Sequence, residues 1–460
     1  MSRILQNVPF DQLTIGMEAT QKRLCRHDDL FVFANSSGNL NPLHLPGEDG
    51  DGDGAPEAQA PGMWVASLIS GVLGCELPGP GSQYREQSLR FVGQAQAGDT
   101  LVAGVRLVAK EGDGTVRFDT WVEREDGMRI VEGEAEVVAP TQPMTFDAHD
   151  VPGLTVQRHV HFERLLKRAE PLLAIPTAVI APEEPEALGG ALLAAEHTIV
   201  DPILIGDATL IRQAAEEIGK DIASYQVIDI PGHRAATARG VELIHSGEAR
   251  ALMKGHLHTS TLLSEVVKRD GGLRVSRLLS HVFVMDVPGL DHLLMVTDAA
   301  INIAPDLKQK ADIVKNAIDL GHSLGLKQPR VAILSAVETV NPSIPSTLDA
   351  AALAKMAERG QITGGLVDGP LAMDNAINLG AARTKGIHSE VAGRAEILIA
   401  PNMEAGNMIA KELSFLAHAE SAGIVVGAKC PIILTSRADD ETARLVSCAV
   451  AALHTVGEDA

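Results

Sequence analysis

The sequence predicts two fold classes in one chain: a large α/β region over residues 155–460, preceded by a smaller α+β domain over residues 1–140. After residue 155, strand-like apolar runs alternate with helical patterns, which is the rhythm of a mostly parallel sheet. Before residue 140, short runs alternate apolar and polar residues between GD and DG turns, which is typical of an antiparallel sheet. A length of 460 residues is enough for about three folding units, and we expect the α/β region to hold two subdomains.

Four apolar runs in the α/β region end abruptly in polar residues. They read LLMVTDAAIN (293–302), RVAILSAVE (330–338), AEILIAPNMEAGN (395–407) and PIILTSRAD (431–439). In open parallel sheets the ligand crevice lies outside the carboxyl ends of the strands. The four endings therefore predict one shared active site for an anionic, acyl-bearing ligand.

Composition narrows the classes of ligand and compartment. The net charge of −21 argues against a nucleic-acid partner, which needs clustered Lys and Arg, and favours small ligands with local basic pockets. The four cysteines are far apart and form no CxxC pair, which predicts a reducing compartment, no zinc site and no disulfide scaffold. No apolar stretch approaches the length of a membrane span and no basic region precedes an apolar core at the N-terminus, so we expect a soluble, cytoplasmic protein.

Two segments interrupt the periodic patterns. The acidic, Gly- and Pro-rich tract GEDGDGDGAPEAQAPG (47–62) predicts a surface loop. The alternating Asp49, Asp51 and Asp53 could instead ligate calcium, although the closing Glu and the flanking helices of an EF-hand are missing. The second break, APTQPMTFDAHDVPG (139–153), predicts an interdomain linker over 141–154.

The first domain has a recognisable arrangement of elements. Residues 88–108 and 115–138 predict the antiparallel sheet, and MWVASLISGVLGCEL (63–77) is apolar on all sides, as a helix buried against a sheet would be. A long central helix wrapped by an antiparallel sheet is the hotdog arrangement.

Three segments of this domain resemble the MaoC-type (R)-specific enoyl-CoA hydratases, a hotdog family. They are NSSGNLNPLHLP (35–46), PGMWVASLISGVLGCELPGPGSQYREQSLRF (61–91) and AGDTL (97–101). In that family an Asp and a His activate water for addition to an enoyl thioester. The resemblance implies site positions Asn39, His44, Gly62 and Ser70, but this chain has Asn39 where the family has Asp.

The amide at Asn39 leaves the function of the first domain open. An amide cannot accept a proton, and loss of one general base costs about 10²–10⁴-fold in rate. A weak hydratase and a non-catalytic acyl-CoA-binding or dimerising module are both consistent with the sequence. Pro61 also replaces the His that usually precedes the Gly-Met pair, and His44 alone could simply begin a helix after Pro42.

The rest of the chain, about 155–460, resembles the phosphate acetyltransferase and phosphate butyryltransferase family. The matching segments, in order, are ARALMKGHLHTSTLL (249–263), LLSHVFVMDVPG (278–289), VTDAAINIAPDL (296–307), VAILSAVETVNPSIPSTLDA (331–350), LVDGPLAMDNA (366–376), LIAPNMEAGNMIAKEL (398–413) and VVGAKCPIILTSRADD (425–440). The segments MKGH, LLSH and TDAAIN resemble the butyryltransferase branch more than the acetyltransferase branch. The resemblance implies an isocitrate-dehydrogenase-like fold, a homo-oligomer, and reversible acyl transfer between CoA and inorganic phosphate with no bound cofactor, metal or acyl-enzyme.

That chemistry needs a base, a cation and neutral donors, and the TSRADD segment can supply them. By resemblance, Arg437 meets phosphate and transition-state charge, where a planar guanidinium fork is suited, and Ser436 orients the thioester. The base would generate the CoA thiolate, since a thiol of pKa about 8.5 is little ionised at pH 7. Asp440 is the first candidate for this base and Asp439 the second, although an acidic helix N-terminus would also explain at least one of them.

Further substrate-binding candidates lie at the other strand ends and at one helix. Glu404, Asn407 and Lys411 fall on one helix face, and the helix start can present backbone N–H groups to phosphate. Caps and turns are the alternative for the strand-end residues, and a solvated surface role is the alternative for the two cations. The candidates are Asp298, Asn302, Ser335, Asn402, Glu404, Gly406, Asn407, Lys254 and Arg277.

Two other function classes fit the sequence less well. A nicotinamide-dependent dehydrogenase has a related architecture, but no GxGxxG opens a helix and no Asp cluster suggests a metal. A non-catalytic CoA-ester sensor is opposed by the intact Ser436–Arg437 pair. The expected partners are therefore acyl-CoA, inorganic phosphate and acyl phosphate.

Overall fold

The computed structural model describes residues 4–52, 58–148, 154, 156, 159–435 and 439–459. The chain forms two compact units, Met1–Val156 and Gln157–Ala460, here called the first and second domains. In the described part of the chain, no helix is both long and apolar enough to cross a membrane.

The first domain is an antiparallel sheet with one central helix. Its strands are β1 (Ile4–Gln6), β2 (Glu18–Leu24), β3 (Gln83–Gln87), β4 (Arg90–Phe91), β5 (Thr100–Lys110), β6 (Thr115–Arg124), β7 (Arg129–Val138) and β8 (Thr145–Asp147). Its helices are α1 (His27–Ser37) and α2 (Gly62–Cys75), with short 3-10 helices at Phe10–Gln12 and Pro42–His44. The sheet order is β2-β5-β6-β7-β3, β4 also pairs with β7, and β8 pairs separately with β1. Thus part of the predicted linker is a strand.

Helix α2 forms the core of this domain. Trp64, Val65, Ile69 and Val72 of α2 are buried against the inward residues of β5, β6 and β7. The alternating pattern of these strands places every second side chain on that helix. The hotdog arrangement predicted from the sequence is confirmed.

The outward face of the same sheet carries Trp121. Its indole lies across Gly104 of β5, where a Cβ atom would come within 2.3 Å of the ring. The guanidinium carbons of Arg106 and Arg129 lie 5.8 and 5.2 Å from the ring centroid. Gly104 is therefore required because any side chain there would displace the indole.

The second domain alternates strands and helices along the chain. Its strands are β9 (Ile175–Ile180), β10 (Val200–Gly206), β11 (Gln226–Asp229), β12 (Ala251–Lys254), β13 (Ser280–Asp286), β14 (Leu294–Thr297), β15 (Arg330–Leu334), β16 (Leu366–Leu371), β17 (Ile397–Ile399), β18 (Glu420–Val426) and β19 (Ile432–Ile433). Its helices are α3 (Val160–Ala169), α4 (Pro185–Glu196), α5 (Ala208–Glu217), α6 (His233–Ser246), α7 (Thr259–Val266), α8 (Leu307–Ser323), α9 (Pro345–Glu358), α10 (Met373–Ile377), α11 (Leu379–Thr384), α12 (Met403–Leu416) and α13 (Glu441–Asp459).

The described strands of this domain form one mixed sheet. Their order is β11-β10-β9-β12-β19-β18-β13-β14-β17-β15-β16. The pairs β19–β18, β18–β13 and β13–β14 are antiparallel, and the remaining neighbours are parallel. The prediction of a mostly parallel α/β sheet is confirmed, with an antiparallel centre that the sequence pattern did not predict.

The two faces of the sheet bury different cores. Val282 and Val284 of β13 join one large cluster with α3, α4, α8 and α13. On the opposite face, Phe283 belongs to a cluster around β14, β15 and α12, whereas Val425 belongs to a separate cluster around β9, β12 and α6.

Candidate active site

The antiparallel centre divides the four polar strand endings between two edges of the sheet. Val282 of β13 lies opposite Thr297 of β14 and Ile424 of β18, which in turn lies opposite Ile433 of β19. From this row, β14 and β19 continue in opposite directions. The ending at 431–439 therefore points away from the other three, because three successive strand reversals separate β19 from β14. That the four endings form one active site stays a prediction.

The edge at which β19 ends also receives β12, which runs parallel to it. Thr435 follows β19 and is 1% exposed, and two basic side chains, each 4% exposed, approach it. Lys254 Nζ lies 3.4 Å from the carbonyl oxygens of Thr435 and Gly255, and Arg444 Nη1 donates to Thr435 Oγ1 at 2.8 Å. Lys254 is therefore buried at a strand end, and the alternative of a solvated surface lysine is wrong.

A buried histidine reaches the same segment from β13. The imidazole of His281 is fully buried, stacks edge-on against Phe283 at 4.5 Å, and has Nε2 3.4 Å from Leu434 O. Its ring can cross β18 because residue 423 is glycine: a Cβ there would lie 3.2 Å from His281 Nε2 and 2.2 Å from Leu434 O. Burial holds the pKa of His281 below its ordinary value, and the charge of Asp298 opposes this shift. Burial therefore favours the neutral form of the ring.

The predicted catalytic residues follow Thr435 in the sequence. Ser436 and Arg437 lie outside the described residues. Asp440 Oδ1 accepts the Ala443 N–H at 2.8 Å at the start of α13, so Asp440 has the N-capping role that the sequence offered as an alternative. Asp439 precedes it in the same pocket.

A small pocket of about 170 Å³ opens beside these carboxylates. Its walls combine Phe283, Phe415 and three alanines with Asp439, Asp440 and several polar side chains. Among the residues that the structure describes, the lining is Phe283, Ala410, Lys411, Ser414, Phe415, Ala419, Glu420, Ser421, Asp439, Asp440 and Ala443. Burial raises the pKa of the Glu420 carboxyl, His159 opposes this, and the charge of Asp440 adds to it. A carboxyl perturbed in this direction beside a pocket is a candidate for proton exchange.

At the opposite edge, Asp298 organises the turn after β14. Its carboxylate accepts the N–H groups of Ala300 and Ile301 at 2.9 Å and the side-chain amide of Asn302. Asn302 Nδ2 also donates to Leu279 O at 2.8 Å. Both side chains are thus engaged by the protein itself, as turn residues are.

The start of α12 packs against that turn. Asn402 caps the helix by accepting the Ala405 N–H at 2.9 Å, and Asn407 Nδ2 donates to Ala299 O at 3.1 Å. Gly406 is buried, and a Cβ there would lie 2.3 Å from Asp298 O. Glu404 is exposed. The geometry explains Gly406 and both asparagines by packing and capping, and a phosphate site at this helix start stays a prediction.

Two further candidates lie away from Thr435. Ser335 follows β15, and its hydroxyl lies 2.8 Å from Ser346 Oγ of α9. Arg277 is exposed and forms an ion pair with Asp319 of α8. The structure therefore brings together Lys254, Asp439 and Asp440 around the end of β19, and leaves Ser335 and Arg277 elsewhere.

The first domain holds a separate cavity of about 1130 Å³. Its lining includes Asn39, His44 and Gly62, with apolar walls from Phe33, Val65, Phe91 and Ile130. His44 Nδ1 lies 3.0 Å from Gln59 O, and Asn39 Oδ1 accepts the Asn41 N–H at 3.3 Å.

The helix that begins at this cavity explains the glycine. Gly62 starts α2 directly beneath Phe91, where a Cβ would come within 2.8 Å of the ring. Free N–H groups at a helix N-terminus can hold a carbonyl oxygen. Ser70 is exposed on α2 and does not line the cavity, whereas Ser67, one turn earlier, does.

The described residues include no cluster of three or more His, Cys, Asp or Glu side chains that could hold a metal ion. Asp49 Oδ1 instead accepts the Gly52 N–H at 2.7 Å, and Asp53 lies outside the described residues.

Comparison with known proteins assigns the second domain. A family model described as "Phosphate acetyl/butaryl transferase" matches residues 232–452. A phosphate acetyltransferase from Rhizobium meliloti is 56% identical over 293 residues, which cover 64% of this chain and 93% of that protein. The chain belongs to the phosphate acetyl/butyryl transferase family.

Other members of the phosphate acetyl/butyryl transferase family are also similar. A phosphate butyryltransferase from Clostridium beijerinckii is 43% identical over 293 residues, covering 64% of this chain and 97% of that protein. The crystal structure of a branched-chain phosphotransacylase from Enterococcus faecalis matches with 30% identity and a TM-score of 0.55, covering 61% of this chain and 99% of that one. The chain is accordingly an acyltransferase of this family.

The first domain has a similarity of its own. The structure of the R-hydratase PhaJ1 from Pseudomonas aeruginosa is 32% identical, covering 34% of this chain and 100% of that one, with a TM-score of 0.33.

Sequence reasoning missed three residues of the candidate site: Arg444, His281 and Glu420. Arg444 lies on α13, one turn after the Asp pair, and a basic residue near a helix N-terminus opposes the helix dipole. That mismatch is the signal that could have found it. His281 lies within the LLSH segment, in which the resemblance implies no role for the histidine, and Glu420 belongs to no motif.

Proposed function

We propose that the second domain moves a short acyl group between CoA and inorganic phosphate. A phosphate oxygen attacks the thioester carbonyl carbon, the tetrahedral centre collapses, and the C–S bond breaks. CoA leaves as the thiolate and then takes up a proton, so the products are acyl phosphate and free CoA. In this proposal the transfer is direct, with no resident metal or cofactor and no covalent acyl-enzyme.

The observation that carries the proposal is the convergence of two buried cations on Thr435. The chain has a net charge of −21, yet Lys254 and Arg444 concentrate positive charge where β12 and β19 end. Arg437 follows two residues later in the sequence. Fixed positive charge in a water-poor site attracts phosphate and stabilises the oxyanion of a tetrahedral centre.

For the proton exchanged with CoA, we favour Asp439 over Asp440, because Asp440 caps α13, whereas Asp439 is the carboxylate whose charge acts most strongly on the buried Arg444. The substitution Asp440→Asn keeps an N-capping side chain and is the matched control for Asp439→Asn. We expect Asp439→Asn to lower kcat by about 10²–10⁴-fold, as loss of a general base does, and Asp440→Asn to retain most activity. The reverse order would assign the base to Asp440.

The pocket beside the two carboxylates supports a short acyl group. Its volume of about 170 Å³ is below the roughly 300–1,000 Å³ of sites for drug-sized ligands. Acetyl-CoA and butyryl-CoA both need to be tested as substrates. Three motifs resemble the butyryltransferase branch, whereas the acetyltransferase relative shares the higher sequence identity with this chain.

One assay tests this function. Phosphate-dependent release of CoA is measured by thiol titration with acetyl-CoA and butyryl-CoA, and hydration of crotonyl-CoA is followed in parallel. We expect Arg437→Gln to abolish transfer, whereas Arg212→Gln, on the exposed side of α5, should leave it unchanged. If neither acyl-CoA gives phosphate-dependent CoA release, the proposed function is wrong.

For the first domain we propose binding of an acyl-CoA, with at most weak hydration. The apolar cavity of about 1130 Å³ has room for an acyl thioester, and His44 lines it without an ionisable partner at position 39. The Asn39 side chain instead supports the backbone at Asn41. The homo-oligomer implied by both resemblances stays a prediction.

Restoring the carboxylate separates binding from catalysis in this domain. If the rest of the site is intact, Asn39→Asp should raise the rate of crotonyl-CoA hydration by about 10²-fold or more. The double change Asn39→Asp with His44→Gln is the control, since it should remove the gain. No rise in hydration, together with retained binding of crotonyl-CoA by calorimetry, would favour a binding module.

A further inference from the structure

Arg444 is a buried cation at a position where both the helix dipole and the loss of hydration disfavour a positive charge. It lies near the N-terminus of α13, where a positive side chain opposes the helix dipole, and it is 4% exposed. Burying a guanidinium is unfavourable unless other groups compensate for its lost hydration. The chain nevertheless makes room for it: a Cβ on Gly190 of α4 would come within 2.4 Å of Arg444 Cδ.

The contacts of Arg444 point to the end of β19. Its Nη1 donates to Thr435 Oγ1 at 2.8 Å. Burial lowers the pKa of Arg444, and the charges of Asp439 and Glu186 oppose this. Lys254 Nζ approaches the carbonyl of the same Thr435 from β12. Thus the side chain and the carbonyl of Thr435 are each held by a buried basic group.

We infer that Arg444 is a positioning residue that fixes Thr435 and, with it, the point at which the chain leaves β19 toward Ser436 and Arg437. This inference rests on the proposed acyl transfer. In this inference the Thr435 hydroxyl does not touch the substrate, because Thr435 is buried. It affects catalysis only by fixing the position of the backbone at the end of β19.

The matched pair Thr435→Val and Thr435→Ser tests the inference. Valine has nearly the same shape but removes the acceptor, whereas serine keeps it. A misplacement of about 1 Å in an active site can cost about 100-fold in rate. We therefore expect Thr435→Val and Arg444→Lys each to lower kcat by about 100-fold with little change in KM, and Thr435→Ser to retain activity. Thr455→Val, a buried threonine at the far end of α13 whose hydroxyl donates to Ala451 O, is the control.

Two outcomes distinguish positioning from general stability. Because Arg444 and Thr435 act on one another, the double variant should lose about as much kcat as either single variant, whereas independent effects would multiply. Multiplied effects, or a kcat within about twofold of the parent in Thr435→Val and Arg444→Lys, would overturn the inference even if both variants melt at lower temperature.

A second measurement does not depend on acyl transfer. Hydrogen exchange at the amides of Leu434 and Thr435 should accelerate in Thr435→Val and Arg444→Lys but not in Thr435→Ser or Thr455→Val. Unchanged exchange refutes the inference whatever the activity. Accelerated exchange in a protein that transfers no acyl group would support the contact and reject the proposed function.

Discussion

Replacing Gly423 by alanine should damage both stability and catalysis in the second domain. Gly423 lies in β18, and an added Cβ would stand 2.2 Å from Leu434 O and 3.2 Å from His281 Nε2. Close contacts between a carbon and a carbonyl oxygen begin at about 3.3 Å, so β18 and β19 must separate locally by about 1 Å.

The expected cost follows from the contacts that this separation strains. Leu434 N–H donates to Gly423 O at 3.0 Å, and Gly423 N–H donates to Ser447 Oγ at 3.0 Å. Overpacking a close-packed interior costs about 1–3 kcal/mol, and each weakened hydrogen bond adds about 1 kcal/mol or less. We expect the free energy of unfolding to fall by about 2–4 kcal/mol, and kcat to fall by about 100-fold because Thr435 moves with Leu434.

Urea unfolding followed by circular dichroism measures the first effect, and phosphate-dependent CoA release measures the second. Gly74→Ala is the control, since Gly74 lies in α2 of the first domain and a Cβ there meets nothing within 4 Å. That change should leave transfer unchanged and stabilise the helix by up to about 1 kcal/mol. A Gly423→Ala variant with unaltered unfolding and unaltered kcat would refute the reasoning about the β18–β19 contact.

Two further predictions follow from buried titratable groups. Burial holds the pKa of His281 and of His454 below the ordinary value of 6.5; the unfolded chain therefore binds protons that the folded chain does not, and stability present above pH 6.5 should be lost below it. The loss is at most about 1.4 kcal/mol per pH unit for each ring. The urea midpoint of the second domain should fall between pH 7 and pH 5.5, less steeply in His454→Gln, and a midpoint independent of pH would contradict this. Burial also raises the pKa of the Cys25 and Cys448 thiols to about 12, so iodoacetamide at pH 8 should modify the partly exposed Cys75 first. Peptide mass mapping that finds Cys448 labelled as fast as Cys75 would show that this burial is wrong.

The first domain and the general class of the second could be predicted because their patterns are periodic. The alternation of apolar and polar residues in β5, β6 and β7 determines which side chains face α2. Because the predicted helix is apolar on all sides, it must be largely surrounded by other elements. The predicted helix over 63–77 corresponds to α2, which begins at Gly62. The exposure of Ser70, one turn beyond the cavity-lining Ser67, depends on where the helix turns relative to the cavity, which the motif does not specify.

Strand direction could not be predicted, because a fully buried strand has no alternation to reveal it. The segments SHVFVMD (β13) and ESAGIVV (β18) are apolar on both faces. Neither pattern indicates that β13 pairs antiparallel with β14 and with β18. For this reason the ending at 431–439 was grouped with those at the opposite edge. The roles of Asp298 and Asn407 were also hidden, since a side chain that binds ligand and one that accepts or donates within a turn have the same identity in the sequence.

The burial of Trp64 in the core of the first domain, and the position of Trp121 on its outer face, give this chain a built-in optical label. These are the two tryptophans of the whole sequence, so emission excited at 295 nm originates in the first domain alone. A CoA ester that enters the cavity beside α2 should change this emission, whereas one bound only at the end of β19 should leave it unchanged. The unmodified protein can therefore report which of its two CoA-related domains is occupied while the other is turning over substrate.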